Sequence, residues 1–379
     1  MTGMARPHIH ESWDPDNPGV MRSALAVSAG DVFIALRDAC HADAERARIK
    51  LFVDGRAVAG ADSPLVPQAD EVAYDYFARI GMLTDFAVYC GSVQTHSRLL
   101  FDRLRACLAN IFGRDWTPVG WLDAELFVGR YPSTPGGIHN EPRLNLHCVI
   151  EGEKWMLVWP PDQWPSPPSA PESAWPSTDV DSSFVLKGQA GDLLHWPPDY
   201  WHVGQSPELS IGLNIAVYPT EPYELVMQAL AGDLRRRQCD GATGHRKPSA
   251  SLTPEALRRQ LEDVVTSTTS SELGHAAEIA LARRRSCSGF RSVPPRREPV
   301  EIGPADVLSR SPGAQLAWHI AGADLTYFGN GHVGGAPLGA ADVSVLEMIN
   351  SGERFLLANL SNVPGLAEDL YTMSVLDRE

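Results

Sequence analysis

Apolar positions along this chain change period three times. Near the N-terminus, Gly30-Asp31 leads into Val32, Ile34, Ala35 and Leu36, a helical pattern. Leu99–Ile111 places Leu100, Leu104, Leu108 and Ile111 on one face of a second helix, so 28–116 reads as mixed helical structure. From Trp121 to about Pro219 the pattern breaks into short apolar or alternating runs. These are Ala124–Val128, Asn145–Ile150, Lys154–Trp159, Phe184–Leu186, Leu193–Trp196 and Ser210–Tyr218, separated by Gly, Pro and Asp turn signals. Strands this short at this spacing fit a barrel or sandwich. The connection Pro160–Asp181, rich in Pro and Ser and carrying Trp164 and Trp175, has the length of a lid or binding loop.

From Glu221 to about Val300 the spacing is helical again, with Thr253 as N-cap and Pro254 in the first turn of one helix. Beyond Pro304, Leu316–Ile320 and Leu325–Phe328 read as strands and Ala341–Ile349 as a helix stopped by Asn350-Ser351-Gly352. A further amphipathic piece lies near Leu356–Leu360. A small winged-helix-like module accounts for this tail, with Leu316, Trp318, Leu325, Phe328, Val345, Leu346 and Ile349 as a core of its own. Four regions follow: a mixed helical part (1–120), a β core (121–220), a helical connector (221–300) and the tail module (301–379). No internal repeat is visible.

Composition narrows the function. A chain of 379 residues exceeds one compact core, and 44% apolar with 21% charged residues is ordinary for a soluble protein. No apolar run is long enough to span a bilayer, so no membrane partner is expected. Met1–Val20 is polar, with nothing resembling a signal peptide. The six cysteines are scattered without a CxxC pair, which favours a reducing compartment and makes the cytoplasm the expected location. A net charge of -15 argues against a nucleic-acid partner. Arginines nonetheless cluster at Arg235–Arg237, Arg258–Arg259, Arg283–Arg285 and Arg296–Arg297. Solvated faces and a docking surface for an acidic partner both fit them.

The candidate chemistry sits in the β region. His139 and Glu141 are two apart, so both side chains leave the same face of a strand, and His202 follows about sixty residues later. Two imidazoles and one carboxylate form the facial triad that holds iron(II) and leaves three positions open. Asn145 and His147 continue on the inward phase. Lys154, between apolar neighbours, is either a surface hairpin lysine or a buried cation that requires an anionic partner. Arg143 is either a surface residue or a bidentate clamp for a substrate carboxylate at the pocket mouth. His195 either faces the pocket, to meet substrate, or is a hydrogen-bonded core histidine. His275, His319 and the remaining histidines show no metal-ligand neighbours in sequence.

The segments GIHNEPRLNLHCVIEGEKWMLVWPPDQ (137–163), GDLLHWPPDYWHVGQS (191–206) and SIGLNIAVYP (210–219) resemble the JmjC/cupin-like iron(II)/2-oxoglutarate oxygenases, the group of asparaginyl hydroxylases and bacterial ribosomal-protein hydroxylases. The motif-bearing part covers about a quarter of the chain. The resemblance implies an α+β fold: a double-stranded β-helix (jelly-roll) core with helical decoration, a connector that mediates a homodimer, and the winged-helix-like module. It implies Fe(II) bound by His139, Glu141 and His202, and 2-oxoglutarate with its distal carboxylate on Lys154. Asn145 and Asn214 match co-substrate positions, and His147, a further candidate there, falls where relatives often carry an aromatic residue. Most relatives carry Asp where this chain has Glu141. Gly136 and Gly137 lack a hydroxyl, which leaves Thr134, Ser133 or Tyr131 to supply one. The expected reaction is hydroxylation of an unactivated carbon on a peptide or protein side chain. A small-molecule or amino-acid hydroxylase, a demethylase and a catalytically silent cupin-like binding protein are the alternatives.

Overall fold

The computed structural model describes residues 14–22, 25–42, 48–58, 63–113, 118, 120–163, 182–219, 224, 227, 231, 270–337, 343–356 and 365–378. The Trp164/Trp175 part of the loop, the Thr253 helix start and the Arg235–Arg237 and Arg258–Arg259 clusters lie outside them. The chain divides into two compact units: Met1–Pro219 with Phe290–Pro295, and Thr220–Gly289 with Arg296–Glu379.

The first unit is a mixed, mainly antiparallel α/β structure. Its strands are β1 (Gly19–Arg22), β2 (Arg48–Val53), β3 (Arg56–Val58), β4 (Phe86–Gly91), β5 (Leu122–Tyr131), β6 (Leu144–Glu151), β7 (Glu153–Trp159), β8 (Phe184–Gln189), β9 (Asp192–Trp196) and β10 (Trp201–Val217). The helices are α1 (Ala29–His41), α2 (Ala73–Ile80) and α3 (Arg98–Phe112). The strand β10 does two jobs. Trp201–Gln205 pairs with β7, which pairs with β8. After a register break between Ser206 and Ser210, the rest runs between β5 and β6. The larger layer has the order β1-β9-β6-β10-β5-β4-β2-β3. One long, broken strand therefore feeds two sheets, the arrangement of a cupin-like barrel.

The short runs read from Ala124 to Tyr218 do form strands: β5, β6, β9 and the second part of β10 are buried on both faces, and only β8 alternates between buried and exposed positions. In the region read as mixed helical, α1 and α3 form, and the side chain of Ser28 caps α1 in a reciprocal capping box with Asp31. That reading has to be corrected for β2, β3 and β4, which extend the barrel sheet through β5. Arg48-Ile-Lys-Leu-Phe-Val is a strand because Leu51 is buried while Arg48 and Lys50 stay in solvent.

The second unit contains α4 (Ser270–Ser286), α5 (Val343–Ser351) and α6 (Leu366–Thr372). Its strands are β11 (Val307–Arg310), β12 (Leu316–Ala321), β13 (Asp324–Gly329), β14 (His332–Pro337), β15 (Phe355–Leu356) and β16 (Leu376–Arg378). They form two three-stranded antiparallel sheets, β15-β11-β16 and β12-β13-β14. Leu308, Leu316, Leu325, Leu346, Ile349 and Leu370 share its core. No described helix is long and apolar enough to cross a membrane.

Candidate metal centre and cavity

A cavity of about 740 Å³ lies between the two layers of the barrel. One wall carries Glu125, Phe127 and Tyr131 of β5, Asn145 and His147 of β6, and Asn214 of β10. The other carries Lys154 and Met156 of β7 with His202 and Gly204 of β10, and Thr134, His139 and Glu141 are also among the lining residues.

His139, Glu141 and His202 converge. Backbone hydrogen bonds in both directions clamp His139 to His202, with N···O distances of 3.2 and 2.8 Å. Nε2 of His139 is 3.9 Å from Glu141 Oε1, and Nε2 of His202 is 3.8 Å from Glu141 Oε2. The two imidazole centroids are 4.4 Å apart. Each Nδ1 lies 3.0 Å from a main-chain carbonyl, that of Gly137 for His139 and that of Tyr200 for His202. A ring that donates from Nδ1 presents an Nε2 lone pair, the tautomer a metal ion needs. Burial pushes the His202 pKa down to about 3, with His139 adding to the effect, so this ring stays neutral. Octahedral bonds of about 2.1 Å hold neighbouring donors roughly 3 Å apart, less than 1 Å inside the spacing found here. The donor set fits a divalent transition metal.

Arg143 holds the carboxylate in place. Its Nε and Nη2 donate to Glu141 at 2.6 and 2.8 Å, and Nη1 and Nη2 donate to Glu125 at 2.8 and 3.0 Å. Nη1 also reaches the Tyr218 hydroxyl at 2.6 Å. Burial alone would lower the Arg143 pKa, but Glu125 and Glu141 reverse this and raise it. The expectations of a surface residue or of a substrate clamp at the pocket mouth are both corrected: Arg143 is only 7% exposed and its donors are engaged by two carboxylates and the Tyr218 hydroxyl. The expectation for His195 also changes. It lies on β9 against Gly19, where an added Cβ would come within 2.6 Å of its ring, while its neighbour Trp196 lines the cavity. Strand alternation sends the two opposite ways.

Lys154 is 3% exposed. Its ammonium donates to the hydroxyl of Tyr131 and to Ser206 Oγ, the latter at 3.3 Å, and sits 4.4 Å from the Tyr131 ring centroid. Among the described residues no carboxylate pairs with it. Gly204 leaves the space it occupies, since a Cβ there would fall 2.8 Å from Nζ. Gly204→Ala should therefore displace the ammonium and weaken binding of any anion it holds, with little change in unfolding midpoint. An anion-binding titration beside a thermal melt checks this.

Asn214 ties together the three strands of one wall, donating to Asn145 Oδ1 at 2.8 Å and Glu125 Oε2 at 3.1 Å. Its Oδ1 and His147 Nε2 are buried and have no hydrogen-bond partner among the described residues. Thr134 is committed to the frame, its Oγ1 accepting from Gly204 N at 3.1 Å. Of the three candidate hydroxyls, Tyr131 is the one that meets the lysine. Glu125, Tyr218 and Tyr89, whose hydroxyl donates to Glu125 at 3.0 Å, were missed by the sequence reading. The available signal was an acid inside the otherwise apolar run Ala124–Val128.

Burial lowers the His147 pKa from 6.5 to about 3. The folded state therefore refuses a proton that the unfolded chain accepts. The associated stability is fully present above pH 6.5 and is lost progressively as pH falls towards 3. Between pH 7 and pH 5 His147 is expected to account for about 2 kcal/mol of lost stability, read from urea unfolding at the two pH values as the difference between the unaltered chain and His147→Asn.

No protein-family profile and no curated protein sequence matches the chain. Solved structures do. The crystal structure of Escherichia coli ribosomal oxygenase YcfD aligns over 100% of this chain and 99% of its own, with a TM-score of 0.56 and 15% identity. The chains share a fold. The same enzyme in complex with cobalt and 2-oxoglutarate aligns over 98% of this chain and 97% of its own (TM-score 0.54, 15% identity). Its complex with cobalt and succinic acid covers the same shares (TM-score 0.55, 14% identity).

Proposed function

We propose that this protein is an iron(II)- and 2-oxoglutarate-dependent oxygenase that hydroxylates an unactivated carbon of a polypeptide side chain. One observation carries the reading: a buried ammonium, Lys154, without a carboxylate partner among the described residues, lines the same cavity as a two-histidine, one-carboxylate cluster. A buried charge is costly unless an opposite charge meets it, and a dicarboxylate reaching from metal to lysine meets it. The fold shared with an oxygenase crystallised with cobalt and 2-oxoglutarate supports this choice of anion.

His139, Glu141 and His202 would hold the metal. Lys154 and the Tyr131 hydroxyl would bind the distal carboxylate, while Asn145, Asn214 and His147 would face the rest of the co-substrate. With oxygen, the bound iron and oxoglutarate supply the oxidising chemistry, which yields succinate, carbon dioxide and the hydroxylated product. The protein fixes geometry around it. Arg143 orients Glu141, and neutral His147 and His202 keep added positive charge out of the cavity.

A polypeptide substrate accords with the shared fold of a ribosomal oxygenase. Three exposed cations, Arg48, Lys50 and Arg56, also line the cavity in a chain of net charge -15. They suit a substrate segment with acidic side chains. Reversing all three to glutamate should lower kcat/KM for substrate hydroxylation by about tenfold or more, while substrate-free succinate formation stays unchanged. The tail reads as the winged-helix-like module of this architecture and the connector as its dimerisation element. Peptides from a native lysate incubated with the enzyme should gain one oxygen atom in an iron-dependent manner. No such product, beside normal succinate formation, would redirect the search to small molecules.

A further inference from the structure

The second unit holds another group of metal-binding side chains, which the oxygenase reading does not use. His275 and Glu278 stand three residues apart on α4, a spacing that puts them on one helix face. His319 comes from β12, which packs on α4. The ligand atoms of the three lie within 4.8 Å of one another. His319 Nε2 is 2.5 Å from His275 Nδ1, its Nδ1 is 3.2 Å from Glu278 Oε2, and the two rings cross at 68° with centroids 4.1 Å apart. Sequence spacing alone gave these histidines no metal-ligand neighbours; that reading is corrected, because the partners are 44 residues apart and meet only when the helix docks on the sheet.

Each neutral imidazole has one N–H and one lone pair, so two ring nitrogens this close must share either a proton or a metal ion. A shared proton gives a hydrogen-bonded chain from Glu278 through His319 to His275. A metal ion would instead take a single nitrogen from each histidine and one Glu278 oxygen, a set whose atoms lie within 4.8 Å of one another. Two histidines and one glutamate are an established three-ligand zinc set that leaves a fourth position for water. Tetrahedral bonds of about 2.0–2.1 Å require donors roughly 3.4 Å apart, so the histidine pair has to open by roughly 1 Å. The Glu278 side chain, 67% exposed, gives an ion an entry path.

We propose that His275, Glu278 and His319 form a second divalent transition-metal site, of zinc type, that staples α4 to the β12–β14 sheet. It is separate in residues from the His139–Glu141–His202 cluster and independent of what that cluster does.

The test is to strip the full-length chain with a chelator, titrate it with zinc(II) alone, and count bound zinc by elemental analysis. Two equivalents are expected in the unaltered chain, one in His139→Ala and one in His319→Ala, with substrate-free succinate formation by His319→Ala after iron loading unchanged. Because His319→Ala may disturb the packing of the second unit, Glu278→Ala serves as the milder variant. In a His139→Ala background it should weaken the remaining zinc by at least about tenfold and abolish the zinc-dependent rise in melting temperature. A single equivalent that vanishes in His139→Ala, or zinc affinity in that background unmoved by Glu278→Ala, would overturn the proposal and leave a hydrogen-bonded chain.

Discussion

Glu141→Ala is expected to reduce iron-dependent succinate formation by more than about a hundredfold, because it removes the only carboxylate of the candidate metal set. Iron titration of the same variant should show the loss at the binding step. The variant also takes one of two anions from Arg143, whose guanidinium is buried between Glu125 and Glu141. Breaking a buried pair is strongly destabilising, so some loss of folding stability should accompany the loss of activity. Glu141→Asp separates the two effects. Its carboxylate is one methylene shorter and cannot keep the 2.6 Å contact to Arg143 and also reach the ion unchanged. Intermediate iron affinity with nearly intact stability is the expected outcome. Full activity in Glu141→Ala would show that the carboxylate is structural.

Lys154→Ala should raise the oxoglutarate requirement by about a hundredfold, in line with the 1.5–3 kcal/mol typical of a hydrogen bond to a charged group. Its effect on stability should be small or even favourable, since the substitution removes a buried charge that lacks a carboxylate partner among the described residues. That combination distinguishes a ligand-binding lysine from a structural one. Oxoglutarate dependence of succinate formation, measured with a urea unfolding curve, gives both halves. Tyr131→Phe, which removes the hydroxyl beside the ammonium, should shift the requirement the same way by less.

The strands that carry this chemistry were legible as short apolar runs bounded by turn signals, because most of them are buried on both faces. Alternation in Asn145–Ile150 and Lys154–Trp159 shows which side chains face inward, and the structure brings Asn145, His147 and Lys154 to one cavity. The two-residue spacing of His139 and Glu141 pointed to the right pair for a reason that has to be corrected: neither lies in a strand, since His139 forms a single bridge to His202 and Glu141 follows in the loop before β6. Helices α1 and α3 showed in their apolar period, whereas the Ser28 cap of α1 was not read. Strands β2 to β4 were overlooked because they are short and sit between two convincing helical patterns. Pairing partners far along the chain, not local preference, decide their conformation. Arg143 and His195 were each left with two readings. An arginine two residues from a glutamate looks the same on a surface as in a buried double ion pair, and only the position of Glu125 on β5, 18 residues earlier in the chain, decides between them. The meeting of His275 with His319 was not legible at all, because it depends on how α4 packs against β12.

The most direct measurement of the central claim is succinate formation from 2-oxoglutarate by the purified, metal-stripped chain in air, before and after adding one equivalent of iron(II). The account predicts no turnover without iron, catalytic succinate after its addition, and none in Glu141→Ala at the same iron concentration. Absence of succinate from the unaltered, iron-loaded chain, or equal amounts from Glu141→Ala, would contradict it.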